Sequence, residues 1–547
     1  MAVVAEVPEE TAVLVVGGGP VGLALAFELG RRGVECLVVE PRRAVSWERP
    51  RAKTTSARTM EHLRRWGIAE AVRAAAPLAL DYSDQVVFCT ALQGREITRF
   101  SGCFALTTGE EELYAEAGQQ IPQPRFEETL RRELAEVASA TLLLGWRLVG
   151  LSEAEDGVGA EIEEVEGGAR RVLRARFAVG CDGARSLVRE ATGAHYVGTT
   201  DLRPNLNLVF RAAGLHEGHA LGRAIHYWVL NPRVAGVLGP LDGGDLWWVI
   251  ATGEGVLDDD PRELINELVG SEVDAEIVST DPWAARLALA SSYGSRRAFL
   301  AGDAAHLNPP WGGHGFNTGV GDAVNLGWKL AAVLQGWGGA ELLASYEAER
   351  RPVAAETIAL AEANMRVLAV DLADPRLELE GHVGDAARTA AARQIEAAKA
   401  IEFHSLGLVL GYSYAGSPIV ATEGSRRRAP DPGHYRPSGE PGGRLPHRWL
   451  APGCSLYDRL GSGFTLVLVD SAASAGPWSE AAARRGLPLA VLHVEGDSAA
   501  ELGAEALLVR PDQHIAWRGA VREPEPGALL DLARGAPGGV ISRSEPA

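Results

Sequence analysis

Lysine is nearly missing from this chain. Only Lys53, Lys329 and Lys399 occur, against fifty arginines, a skew that points to a GC-rich coding sequence rather than to a mechanism. Paired cysteine is missing as well. Cys36, Cys89, Cys103, Cys181 and Cys454 are scattered and odd in number, and no two have the C-x-x-C spacing of a zinc site or a redox dithiol. A disulfide scaffold is thereby excluded, no metal site is read, and free thiols in a reducing compartment are expected. No apolar run approaches the roughly 20 residues that span a bilayer. The amino end, MAVVAEVPEE, has neither the basic nor the long apolar segment of a secretory leader. A cytoplasmic protein without a membrane partner is the expectation. Positive charge is in deficit, the net being -19. That argues against a nucleic-acid partner, because phosphates repel such a surface.

What is present starts with length. A chain of 547 residues exceeds what one core holds and should form two or three domains. Residues 11–42, TAVLVVGGGPVGLALAFELGRRGVECLVVEPR, read strand, tight turn, helix, strand, the βαβ order of a parallel sheet. The turn carries Gly17, Gly19 and Gly22 as G-x-G-x-x-G, and Glu40 closes the second strand 18 residues after Gly22. Gly17 permits the turn, Gly19 lets a pyrophosphate approach the backbone, and Gly22 lets the helix pack on the strand. Pro20 suits the first helical turn, and the helix amino end offers N–H groups to a diphosphate. Glu40 is placed to accept hydrogen bonds from a ribose.

Beyond this unit the periodicity changes twice. Residues 54–75 predict a helix with Met60, Leu63, Ile68 and Val72 on one face. Around 80–115 and 195–285, short alternating runs such as LNLVFRAA, AIHYWVL and DLWWVIAT predict an antiparallel sheet. In WW, Trp247 and Trp248 must face opposite sides, so at most one can line a pocket. A Gly-, Pro- and Arg-rich stretch at 415–447 predicts a linker or wrapping loop. The last hundred residues alternate strands with an alanine-rich helix, as a small α/β unit.

Two later stretches complete a pattern. FAVGCDGARSLVRE, residues 177–190, sets Asp182–Gly183 directly after a strand, and RAFLAGDAAHLNPPWGGHGFNTGVGDAVNLGWKLA, residues 297–331, sets Gly302–Asp303 after another. With the first turn, these motifs resemble the fingerprints of the single-component flavoprotein aromatic hydroxylases, the class typified by p-hydroxybenzoate hydroxylase. The resemblance covers roughly residues 10–370. The tail ALLVRPDQHIAWRG (506–519) resembles the branch of phenol hydroxylases and aromatic-polyketide hydroxylases, which carries a thioredoxin-like carboxy-terminal domain. Lacking C-x-x-C, that domain is expected to have a structural or dimer-stabilising role.

The resemblance implies an α/β fold with three parts. A discontinuous Rossmann-like FAD-binding domain spans 1–80, 116–192 and 286–400. An antiparallel-sheet substrate domain spans 81–115 and 193–285. A linker at 401–430 leads to the thioredoxin-like domain at 431–547. It further implies that Gly17, Gly19 and Gly22 hold the FAD pyrophosphate, Glu40 the adenosine ribose and Arg42 the adenine end. Arg58 is expected at the pyrophosphate, Gln123 and Arg125 at the ribityl chain, and Asp303 on the ribityl hydroxyls. Asp182 is the acid the family links to both FAD and NAD(P)H. Pro310, Gly313, Gly315, Phe316 and Asn317 are expected around the isoalloxazine ring. A glycine-rich loop entering a helix supplies the N–H groups and positive dipole end that an anionic reduced flavin needs.

The implied activity is an FAD- and NADPH- or NADH-dependent monooxygenase that hydroxylates an aromatic, polyketide-type substrate with O2 through a flavin C4a-hydroperoxide. Disulfide reductases are excluded by the absent cysteine pair. Baeyer–Villiger and N-oxygenating enzymes usually carry a second G-x-G-x-x-G unit, and none is found. A simple phenol as substrate, an oxidase, dehydrogenase or Baeyer–Villiger outcome on the same fold, and a flavin-loaded binding protein without turnover stay open. His226 and Tyr227 are the candidates for assisting phenol deprotonation, and His306 is expected to be structural. Oligomeric state is not legible in the residues, although the family is compatible with a homodimer.

Overall fold

The computed structural model describes residues 7–47, 53–252, 255–366, 372–421, 431–469, 474–495, 502–522 and 525–536. Its first sheet is built on the expected βαβ unit: strand β1 (Glu10–Val16), helix α1 (Pro20–Gly30) and strand β2 (Cys36–Glu40). β1 pairs in parallel with β2 on one side and with strand Arg170–Gly180 on the other. The sheet runs, in order, Ala140–Leu144, β2, β1, Arg170–Gly180, Val158–Glu164 and Trp146–Glu153, with Ala298–Leu300 also pairing in parallel with Arg170–Gly180. β2 is buried on both faces, and α1 has every residue but Val21 buried. Leu23, Leu25, Phe27 and Leu29 are fully buried, each contributing about 1.5–3 kcal/mol by leaving water.

The register decides where ligands can bind. Val16, Gly180 and Leu300 are neighbours across the sheet. The three turns that follow them therefore emerge side by side at the carboxyl ends of parallel strands, where open α/β sheets form their crevice.

The second sheet has eight strands, ordered His306–Leu307, Glu276–Ala290, Tyr196–Arg211, Leu246–Thr252, Ala235–Pro240, His226–Leu230, Val86–Cys89 and Glu96–Phe100. It is antiparallel throughout except for one pair, His226–Leu230 with Val86–Cys89. One face packs on helix Pro261–Val269, and Trp247 and Tyr227 point into that core. The other face carries Trp228 and Trp248 and meets helix Gly381–Phe403. The third sheet, ordered Leu489–Val494, Phe464–Val469, Ala506–Val509 and Ile515–Gly519, with helices Gly476–Arg484 and Pro526–Ala533, is the thioredoxin-like unit.

One expectation changes in detail. The helix predicted over 54–75 is two helices, α2 (Ala57–Arg65) and Ala69–Ala75, preceded by a short strand at Thr54–Thr55. Gly67, at φ +75°, breaks it, because a left-handed residue cannot continue a right-handed helix. Part of the predicted linker, 422–430, lies outside the described residues.

The thioredoxin-like unit is fastened to the first domain by buried ions rather than by apolar contact alone. Arg510 donates from Nη1 and Nη2 to the two oxygens of Glu349 at 2.6 and 2.8 Å, and pairs with Asp512 at 2.6 Å. Lys329 joins Glu349 at 2.7 Å, and the Trp328 indole donates to Asp512 at 3.1 Å. All of these groups are buried. Burial alone would raise the Glu349 pKa, but Arg510 and Lys329 outweigh it and hold the carboxyl at about 2. Its contribution to stability is thus complete above its ordinary value of 4.5 and is lost as pH falls toward about 2. Arg510→Met should leave the Glu349 carboxylate under-paired in a dry interior and destabilise the protein by about 3–5 kcal/mol. Chemical denaturation of the holoprotein checks this, and a midpoint equal to wild type contradicts it.

Candidate active site

Three glycines at the first turn play different parts. Gly17 has φ +104°, and a Cβ there would lie 2.4 Å from the Cys181 carbonyl oxygen. At Gly22 an added Cβ would lie 1.9 Å from the Gly17 carbonyl oxygen. Helix α1 thus closes directly on the turn, and Gly22 sits behind the groove rather than in it. Gly19 differs: nothing stands within 4 Å of its missing Cβ, and it faces a groove of about 510 Å³. Gly17, Gly19, Pro20, Glu40, Arg42, Gln123, Asp182, Asp303 and Phe316 line this groove. The sheet and the turns bring these residues together from six separate stretches of chain.

Glu40 is buried, with Oε2 accepting from the Gly18 N–H at 2.8 Å and Oε1 from the Arg42 Nε at 2.6 Å. The carboxylate braces the turn while staying on the groove wall. Arg42 also reaches Glu127 at 3.3 Å. Beside it lies a residue sequence reasoning missed: Arg131, whose Nε and Nη2 are buried without a hydrogen-bond partner among the described residues, and whose pKa burial lowers. Asp182 accepts at Oδ2 from the N–H groups of Leu187 at 2.8 Å and Val188 at 3.3 Å. Its Oδ1 is buried without a hydrogen-bond partner among the described residues, and burial raises its pKa.

At the far end the groove meets a second cavity of about 210 Å³. Gln123, Asp303 and Phe316 line both spaces. The Asp303 turn is held by a buried carboxylate beneath it. Asp322 accepts from the Gly302 N–H at 3.1 Å and from the Arg350 Nε at 2.8 Å, and lies 2.7 Å from the His306 Nε2. Burial would raise the Asp322 pKa, but Arg350 and His306 outweigh it and hold the carboxyl low. His306 is buried in this cluster and reaches neither cavity.

The glycine loop follows. Gly312 and Gly313 have φ of +85° and +68°, and the loop leads into helix Gly315–Leu334, whose first N–H groups have no intrahelical partner. Pro310, Gly313, Gly315 and Phe316 line the cavity as expected. Phe104, Trp228, Trp248 and Trp311 add aromatic lining to the same cavity. Phe104 holds φ +58°, a strained backbone for a bulky residue, and packs edge-on to His226 at 5.6 Å.

Besides Gly22, expected at the pyrophosphate but placed behind the groove, four expected placements need correction. Arg58 is not at the groove. It is buried and donates to Gln513 Oε1 at 2.6 Å, Asp512 O at 2.8 Å and Glu61 at 3.0 Å, so its guanidinium is spent on the third domain. Arg125 lies on the outer face of its helix, over the Trp47 ring and against Glu128. Tyr227 points away from the cavity, because neighbours on a strand alternate; its hydroxyl donates to Gly222 O at 2.6 Å. The Asn317 side chain turns from the ring position to brace the loop. It accepts from Ser56 N at 2.9 Å and donates to Gly313 O at 2.6 Å and Thr54 O at 3.0 Å.

His226 does line the cavity, but burial first and the charge of Lys53 second depress its pKa to about 3. It is a neutral ring, and a poor base. Lys53 is the cation in question. Burial lowers its pKa to about 7, and its ammonium stands 3.9 Å from the centre of the Trp248 ring. Nothing in the sequence beyond the rarity of lysine marks it.

A glycine turn at a helix amino end, a ribose-height carboxylate and a groove that opens on an aromatic chamber define a dinucleotide flavoprotein acting on aromatic compounds. The open side of Gly19 and the orphaned Oδ1 of Asp182 fit a bound diphosphate-linked cofactor. Residues 10–361 match the family described as FAD binding domain, and 438–536 that described as aromatic-ring hydroxylase, C-terminal. The chain belongs to the FAD-dependent aromatic-ring hydroxylases, and it is a flavin-dependent monooxygenase. It is 34% identical to aklavinone 12-hydroxylase RdmE of Streptomyces purpurascens, over 93% of this chain and 95% of that protein. Among solved structures, RebC-10x, native and bound to K252c, superposes with a TM-score of 0.90 at 35% identity, covering 97% of this chain and 100% of that one. The ternary complex of aklavinone-11 hydroxylase with FAD and aklavinone gives 0.81 at 29% identity, with coverage of 97% and 100%.

The glycines allow a sharp contrast. Gly19→Val should fill the groove without a clash in the protein, giving folded, colourless protein with an unchanged circular dichroism spectrum. Gly22→Val drives a methyl into the Gly17 carbonyl and should lose the fold itself. Full flavin content in the Gly19 variant would contradict the groove assignment.

Proposed function

We propose that this monooxygenase hydroxylates a polycyclic aromatic substrate of the polyketide type, using NADPH or NADH as reductant, in a reducing cytoplasmic setting. The observation that carries this reading is the sharing of Gln123, Asp303 and Phe316 between the dinucleotide groove and the aromatic cavity. One elongated cofactor lying in the groove would present its ring end to a compound held among Phe104, Trp228, Trp248 and Trp311. The named substrates of the relatives above, aklavinone among them, support a fused-ring compound over a single phenol.

In this reading Gly17, Gly19 and the amino end of α1 hold the diphosphate, and Glu40 with Arg42 and Arg131 holds the adenosine end. Asp303 accepts from the ribityl hydroxyls, with Gln123 beside it. When bound, FAD supplies the chemistry that passes electrons from NAD(P)H to O2 and one oxygen atom to the substrate. The protein's own work is positional. The aromatic walls orient the ring and exclude water. The N–H groups at the start of helix Gly315–Leu334 favour negative charge near Pro310 and Gly313. Asp182, capping the 187–191 helix at the groove edge, is proposed as the acid serving both FAD and the nicotinamide nucleotide.

Incubation of FAD-loaded protein with NADPH, 18O2 and a hydroxylated anthraquinone should give product carrying one labelled oxygen. Oxidised product without label would favour an oxidase instead. Flavin that neither nicotinamide nucleotide reduces, with or without the anthraquinone, would favour a binding protein. Asp303→Ala should lower retained FAD at least severalfold on gel filtration, and full stoichiometry would argue against its ribityl role.

A further inference from the structure

Two of the chain's three lysines are committed to carboxylates, Lys329 to Glu349 at 2.7 Å and Lys399 to Glu402 at 2.8 Å. Lys53 is not. No carboxylate of the described residues makes an ion pair with it; its ammonium stands over Trp248 at the edge of the aromatic cavity. A cation removed from water needs a counter-charge, and the other polar groups around this cavity do not provide one. Glu402, from helix Gly381–Phe403, is taken by Lys399 and by the Gly312 N–H. His226, from strand His226–Leu230 of the same sheet, is a neutral ring. Asp303 lies at the junction with the cofactor groove and makes no ion pair with Lys53.

We propose that the missing counter-charge is the substrate's own: an acidic phenol that binds as the phenolate, with its oxygen paired to the Lys53 ammonium beside Trp248. This rests on the aromatic-hydroxylase reading and names the ionisation state of its substrate. The proton balance is simple. The phenol O–H bond breaks, an N–H bond forms on Nζ, and the electron pair stays on oxygen, so no oxidant is consumed. The ring becomes richer in electrons at the positions beside and opposite that oxygen, which is where an electrophilic oxygen is accepted. Because burial holds Lys53 at about 7, much of it is neutral before substrate arrives, and a neutral phenol can enter without importing net charge. A lone ammonium is a point charge suited to a one-oxygen anion, whereas a carboxylate is better met by a two-pronged guanidinium.

The test uses the FAD-loaded enzyme and alizarin, a dihydroxyanthraquinone that turns from yellow to red on ionisation, with its dimethyl ether as the non-ionisable control. Bound to wild type, alizarin should ionise at least about one pH unit below the free dye. Lys53→Met should bind the yellow form, about tenfold or more weakly at pH 8, with affinity for the ether unchanged. Lys53→Arg should restore the red form. The proposal is overturned if the bound dye ionises at the same pH as free dye, or if Lys53→Met keeps the red anion at full affinity. Should the methionine variant lose FAD, the wild-type titration and the arginine variant decide. Failure of wild type to bind either dye would instead sink the fused-ring substrate reading, and this proposal with it.

Discussion

The buried carboxylate of Asp322 is the interaction on which the site's geometry hangs. It receives the backbone of Gly302, the imidazole of His306 and the guanidinium of Arg350, and it sits on the helix that begins at the glycine loop. One anion therefore fixes the Asp303 turn relative to the loop at 308–315. Those are the two pieces of chain that would grip the middle and the ring of one cofactor. Arg350 also donates to the Thr318 carbonyl at 2.9 Å, so the tie extends along the first turn of that helix. Removing water from such a cluster is costly, and the cost is met only because every partner is present.

The same helix explains what a thioredoxin-like unit without a C-x-x-C pair is for. Asn325, Trp328 and Lys329 face Asp512 and Glu349, and Arg510 completes the cluster. Arg58 of α2 reaches the same turn. The third domain thus holds from outside the helix whose amino end lines the aromatic cavity. It carries no C-x-x-C dithiol, and its contact with the first domain includes a cluster of buried ions.

The aromatic chamber shows how a fold can be built for chemistry that needs few side-chain acids or bases. Rings, prolines and glycines make up much of its walls. Its histidine is neutral and its glutamate is spent on a lysine, and among the described residues Lys53 is the cation that lines it. Alternation along a strand sorted the neighbours: Trp248 and His226 toward the chamber, Trp247 and Tyr227 into the opposite core.

Much of this was written in the chain. The βαβ unit, the three acid-bearing turns and the glycine loop are local signals, because backbone conformation, helix capping and strand alternation act over a few residues. Gly17, Gly19, Glu40, Asp182 and Asp303 fell on the groove for that reason. The fates of Arg58, Arg125, Tyr227 and Asn317, and the importance of Lys53 and Arg131, were not local. A long cation can reach partners hundreds of residues away in sequence, as Arg58 does with Gln513. Which partner it finds depends on how the third domain docks on the first. Sequence alone determined which turns could hold a dinucleotide. Only the packing of three sheets against one another decided which charges were spent holding the protein together and that Lys53 lines the aromatic cavity, because burial and pairing are properties of the assembled interior.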